Sequence, residues 1–208
     1  MNSSFLAWGQ FLVGSFSLCQ TALLIAQFGF PRDTVRFLGV LLSFILSISF
    51  LVEGVAVFGY FPIFYYEGLY GVLSGVLGFS LVAFTYLGVV DHPGQLQRKI
   101  MWRLPVVGAL LGNWMSIDFM LLVLLAGWLG ACGLLIAEGQ RQRYILRLFF
   151  SQLFLALVYY GALRIDWWWA AILLSAGWII VFHRFLGAFM VKNLARNFAI
   201  PTLDGASA

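Results

Sequence analysis

Apolar residues fill this chain in long unbroken stretches, without the alternation of a half-exposed strand or the polar stripe of a surface helix. Five stretches stand out, at 5–28, 37–60, 68–90, 148–163 and 167–182. Each reads as a helix apolar all round. The first three exceed the roughly 20 residues a helix needs to cross a hydrocarbon layer. The last two are shorter, but Arg147, Arg164 and Arg184 flank them. An arginine lays its methylenes on apolar surface while its guanidinium reaches the interface, which lengthens the usable helix.

The stretch at 104–137 is 34 residues long, too long for one comfortable span and tight for two. Its middle predicts a turn. Gly112 and Asn113 form a helix-stop pair, Trp114 suits an interface, Ser116 offers an N-cap, and Asp118 falls in the first turn of the next helix. Pro105 then belongs to the opening turn of a helix at 100–117, where its missing N–H has no intrahelical partner to lose. The reading is an all-α integral membrane protein, a bundle of seven transmembrane helices at about 5–28, 37–60, 68–90, 100–117, 119–137, 145–163 and 167–187.

Charge orients it. Eleven of the twelve Lys and Arg residues fall into four clusters: Arg32/Arg36, Arg98/Lys99/Arg103, Arg141/Arg143/Arg147 and Arg184/Lys192/Arg196. With seven helices these share one face and Arg164 alone lies on the other, whereas six helices would split the charges 6:6. Retention of Lys and Arg in the cytoplasm therefore selects seven spans, N-terminus outside and C-terminus inside. Helices four and five as a short re-entrant hairpin would place the charges identically, so that variant stands beside the full spans. Beyond the transmembrane domain at 1–187, Val191, Leu194, Ala195 and Phe198 share one side of a helical pattern and Lys192, Asn193, Arg196 and Asn197 the other. An interfacial cytoplasmic helix and a frayed tail are expected over 188–208. Trp167, Trp168 and Trp169 are expected to anchor the outer end of helix seven.

Composition agrees: 62% hydrophobic and 10% charged residues, with mean hydropathy +0.97, describe a chain whose solvent is lipid. The pI near 9.3 does not point to nucleic acid, because the basic residues punctuate helices instead of forming a patch with stacking aromatics. The expected partners are membrane lipids and other integral membrane subunits, in a plasma or bacterial inner membrane. No basic residue precedes Arg32, so the first stretch lacks the positive start of a secretory signal and reads as a retained helix. Cys19 and Cys132 read as small buried hydrophobes.

Candidate chemistry is sparse. Glu53 is the only carboxylate well inside an expected span, and an ionisable group there is costly unless neutral, paired or hydrated. Ser49 lies one turn away, and Gln10, Ser17, Gln20, Thr21 and Gln27 form a polar stripe on helix one. Glu53, Ser49, Gln20 and Gln10 are accordingly the candidates for an ion or proton site. His183 is expected near the inner end of helix seven and His92 in the Asp91–Gly94 turn; a bis-histidine haem from that pair is disfavoured because Pro93 holds His92 in a loop. No cofactor or metal is expected, with bound lipid or pigment left open by the 37 aromatic residues. Metal-hydrolase, nucleophile-elbow and P-loop motifs are missing, and an enzyme is not expected. The helix count is that of the rhodopsins, yet Lys99 and Lys192 are the only lysines and neither sits mid-helix seven to carry retinal.

Gly71, Ser74, Gly75 and Gly78 make a small face on helix three, and Gly127 and Gly130 thin helix five, as close helix packing in lipid requires. Three functions follow. The foremost expectation is a non-catalytic membrane subunit that packs against partner helices and scaffolds a larger assembly. The alternatives are a small transporter or channel using Glu53 and the polar face of helix one, and a seven-helix sensor of a lipid or apolar ligand that signals to a separate partner.

Overall fold

A computed structural model describes residues 2–29, 33–57, 63–90, 94–114, 117–137, 143–165 and 167–198. Among them every regular element is helical: α1 (Asn2–Phe28), α2 (Thr34–Val57), α3 (Ile63–Val89), α4 (Gln95–Trp114), α5 (Ile117–Ala137), α6 (Arg143–Arg164) and α7 (Trp168–Phe198). Four of these, α1, α2, α3 and α7, carry apolar spans long enough to cross a membrane: Phe5–Phe28, Thr34–Ala56, Gly68–Val89 and Trp169–Val191.

The 34-residue stretch does divide, with α4 ending at Trp114 and α5 starting at Ile117; Ser116 itself lies outside the described residues. Two boundaries differ from expectation. Helix α4 begins at Gln95, so the buried Pro105 sits in its interior and not in its opening turn. The cause is a cap: Gln97 Oε1 accepts from the Gly94 N–H at 2.9 Å while Arg98 N–H donates to the Gly94 carbonyl, half of a capping box that makes the polar segment helical too. Helix α7 runs without a break to Phe198, so the expected interfacial segment continues the same helix instead of starting a new one.

Local chemistry sets the turns. Gly29, at φ 75°, ends α1 in the left-handed conformation that a side chain disfavours. Asp33 caps α2 by accepting from the Arg36 N–H at 2.8 Å. The Arg36 side chain then lies 2.9 Å from Asp33 Oδ2 through Nε and donates from Nη1 to the Phe28 carbonyl at 2.8 Å, tying the end of α1 to the start of α2. Helix α6 closes through Trp167 N–H to the Ala162 carbonyl at 2.9 Å, and Trp167 opens α7 by accepting from Ala171 N–H.

In space α1, α2, α3, α5, α6 and α7 are successive neighbours and α7 returns to α1, with α4 lying outside on α3. Helix α7 also reaches α2 and α3. A continuous run of rings fills the interior. Phe50 meets Trp178 at 5.8 Å, Trp178 meets Trp128 at 6.2 Å, Trp128 meets Phe149 at 5.8 Å, and Phe149 meets Phe185 at 5.7 Å. Phe84 completes it, 6.2 Å from Phe185 and 5.0 Å from Phe189. These separations suit tilted and edge-to-face pairs. Bundle filling thus accounts for a share of the aromatic excess.

Small residues let the backbones close. A Cβ on Gly75 would overlap the Gly108 carbonyl, one on Gly108 the Gly75 carbonyl, and one on Gly112 the Gly71 carbonyl. The α3–α4 contact is therefore backbone on backbone. Gly127 faces the Gly78 carbonyl across α3–α5, and Ser74 is buried. Gly130, by contrast, is exposed with nothing within 4 Å of where a Cβ would stand.

Candidate functional site

Helix α1 is more polar on its inner face than on its outer one. Gln10, Ser17 and Thr21, spaced seven and four residues apart, are buried against the bundle, while Trp8 (62% exposed) and Leu12 (71% exposed) point outward. In water this arrangement would be reversed.

What that stripe meets is on α2 and α7. Thr21 Oγ1 and Ser43 Oγ are 2.5 Å apart, and Ser43 Oγ lies 2.6 Å from His183 Nε2. One turn further along, Ser47 Oγ and Ser17 Oγ are hydrogen-bonded at 2.7 Å. Ser17, Thr21, Ser43, Ser47 and His183 are all buried, and they join three helices in one hydrogen-bonded seam. The hydroxyls also bond to their own helices, Thr21 to the Ser17 carbonyl at 3.0 Å and Ser47 to the Ser43 carbonyl at 2.8 Å.

The second ring nitrogen of His183 fixes the chemistry of the first. Nδ1 lies 2.8 Å from the Ile179 carbonyl, which can only accept, so Nδ1 carries a hydrogen. With the imidazole neutral, Nε2 is then an acceptor and Ser43 donates to it. With the imidazole protonated, Nε2–H donates to Ser43, Ser43 donates to Thr21, and Thr21 donates to the Ser17 carbonyl. Both charge states find a complete set of partners, and passage between them reverses the hydrogen bond linking α2 to α7.

Sequence reading missed this seam because it put His183 near the inner end of helix seven. In a helix that runs to Phe198, His183 is halfway between Trp168 and Phe198 and within the Trp169–Val191 span. A signal was present: Ser17/Thr21 precede the α1–α2 loop by about the interval at which Ser43/Ser47 follow it, so an antiparallel hairpin brings the pairs together.

The residues singled out from sequence are distributed differently. Gln10 is fully buried on the same face of α1 as Ser17 and Thr21, but Gln20 is half-buried beside the seam. Ser49 is half-buried and donates to the Ile45 carbonyl of its own helix at 2.8 Å. Glu53 is half-buried, four residues before Val57; the expected helix end at residue 60 lies outside the described residues. Packing of its neighbour Gly54 against Ala7 and Phe11 puts Glu53 at the depth of Gln10. The stripe from Gln10 to Thr21 spans about 16 Å of helix, at 1.5 Å per residue. Glu53 stands at the depth of its first residue and His183 meets its last.

Comparison with protein-family models, curated proteins and solved structures returns no match.

His92 lies outside the described residues, and both nitrogens of His183 are occupied, so the haem pair is not assembled among them. Among the described residues no three His, Cys, Asp or Glu side chains gather as metal ligands do. Cys132 is buried as expected, but Cys19 is exposed on the outer side of α1. Trp167 and Trp169 are both more than half exposed and stack at 6.2 Å; the Trp168 side chain is outside the described set.

A second polar feature sits at the basic end. Arg98, Lys99, Trp102 and Arg103 of α4 and Thr34 of α2 line a groove of about 310 Å³. The Trp102 ring rests 5.9 Å from that of Phe37.

Proposed function

We propose that this chain is a seven-span integral membrane protein, N-terminus outside and basic end cytoplasmic, that moves protons, or a small solute coupled to them, along the α1–α2–α7 seam without covalent catalysis. The observation that carries the reading is the hydrogen bond between His183, within the membrane-length Trp169–Val191 span of α7, and Ser43 on α2. An ionisable side chain in that position is expensive to keep and is by default functional. Its partners are hydroxyls that donate or accept equally well, so the imidazole can gain or lose a proton without stranding a polar atom. Glu53 and Gln10 stand toward the opposite end of the same polar stripe, where a proton or solute would enter from outside.

Reconstitution into liposomes with a trapped pH-sensitive dye tests it. Under an imposed potassium diffusion potential, wild type is expected to shift the internal pH as protons follow the potential, and His183→Gln and Ser43→Ala to slow that shift at least tenfold, with Glu53→Gln slowed as well. Equal rates in wild type and His183→Gln, or no proton movement by wild type under either sign of potential, refute the reading.

The scaffold reading loses one of its supports, because the glycine faces on α3 are used inside the chain by α4 and α5. It retains the exposed apolar surfaces of α1 and α6, where Trp8, Leu12, Phe154 and Leu157 await lipid or a partner helix. Gentle extraction from native membrane separates the two: a larger complex together with absent flux favours the subunit, and an active lone chain favours the transporter.

A further inference from the structure

Three cations crowd one wall of the α2–α4 groove without a carboxylate among its lining residues. Arg98, Lys99 and Arg103 form no ion pair with any described residue, and Asp33, next to the lining residue Thr34, is engaged by Arg36. On α4 they occupy adjacent columns with Trp102, since residues 98 and 102 and residues 99 and 103 are each one turn apart. The groove's volume lies at the small end of ligand sites, enough for a phosphorylated headgroup.

The same columns continue as exposed apolar surface. Below Trp102 come Val106 and Leu110, and below Arg103 comes Val107, all exposed. The cations thus cap a hydrocarbon-facing stripe. A soluble anion would use the charges and leave the stripe unexplained, whereas a lipid uses both: phosphate among the guanidinium and ammonium groups, acyl chains along Val106 and Leu110. A terminal phosphate monoester, carrying close to two negative charges near neutral pH, matches three cations that have no ion-pair partner among the described residues better than a zwitterionic headgroup does.

We infer that the groove formed by Thr34, Arg98, Lys99, Trp102 and Arg103 is a binding site for an anionic phospholipid bearing a phosphate monoester. The site is separate from the α1–α2–α7 seam and does not depend on its activity. The Thr34 hydroxyl supplies a neutral donor to the same headgroup, and Trp102, held by Phe37, forms the wall where headgroup gives way to chain.

The probe is phosphatidic acid with a fluorophore on its acyl chain, titrated by anisotropy into the full chain in neutral detergent. Phosphatidylcholine carrying the same fluorophore is the reference. Wild type is expected to bind phosphatidic acid at least tenfold more tightly than phosphatidylcholine. Arg98→Gln/Lys99→Gln/Arg103→Gln should lose that preference. Arg143→Gln/Arg147→Gln, which removes exposed charges on α6 at the same end of the bundle, should keep it. Unlabelled phosphatidic acid should displace the probe where millimolar inorganic phosphate does not. Equal loss in the two charge variants makes the effect general electrostatics and overturns the site. Displacement by inorganic phosphate overturns the lipid as its occupant. Because the substituted side chains are exposed or at the surface, thermal unfolding of each variant is expected to match wild type; Arg98→Ala alone, with a partial loss of preference, supplies the reading should the triple variant fail to fold.

Discussion

Replacing Gly75 by alanine adds one methyl where the Gly108 carbonyl already stands. Neither side of that contact has a side chain that can rotate away, so α3 and α4 must separate. Overpacking of this sort costs about 1–3 kcal/mol, and alanine returns up to about 1 kcal/mol through its higher helix propensity. The net expectation is a loss of about 1–2 kcal/mol, a fall in Tm of about 2–8 °C for a chain of this size. Gly130→Ala is the matched control, since nothing lies within 4 Å of the new methyl. It receives the propensity gain alone, and its Tm is expected to rise by up to about 4 °C. Thermal unfolding in one detergent, followed by intrinsic fluorescence, compares them. Gly75→Ala/Gly108→Ala should cost less than the two single changes added together, because the helices need to part only once. A Gly75→Ala protein as stable as wild type, or Gly130→Ala as damaging as Gly75→Ala, refutes backbone contact as the source of α3–α4 cohesion.

Gln152 on α6 is completely buried, and neither its amide oxygen nor its nitrogen finds a partner among the described residues. Gln152→Leu is accordingly expected to stabilise the bundle by about 1–3 kcal/mol, read as a higher Tm; a lower one means that the amide is satisfied in the membrane. Cys19 faces outward and Cys132 inward. A membrane-permeant maleimide should label the folded chain once, and Cys19→Ser should abolish that labelling, whereas persistent labelling of Cys19→Ser shows Cys132 to be accessible.

Much of the architecture was legible because membrane helices declare themselves by length and by the residues that interrupt them. Gly112 through Asp118 marked the division between α4 and α5, and Gly71 and Gly75 marked a close contact. Its partner, the pair Gly108 and Gly112, needed the antiparallel pairing of α3 with α4 to be seen. Helix ends were harder: the charges at Arg98–Lys99 read as a boundary, and the segment from 188 read as a separate interfacial helix, although a helix continues through charge wherever its caps allow. Ending helix seven at 187 left His183 four residues from its end and hid the seam. Ser43 and Ser47 gave no warning of their own, because a serine in a membrane helix ordinarily bonds its own backbone. Only the proximity of three helices distinguishes these from serines elsewhere.

The bond between Ser43 and His183 joins residues 140 positions apart. During synthesis α1 and α2 are complete long before α7 exists. Thr21 and Ser43 can pair at once within their hairpin, already latched by Arg36, but the outer lone pairs of that hairpin stay unclaimed until α7 arrives. The seam therefore closes last. A chain stalled before α7 would leave those hydroxyls uncovered along one flank, which sets an unfinished bundle apart from a finished one.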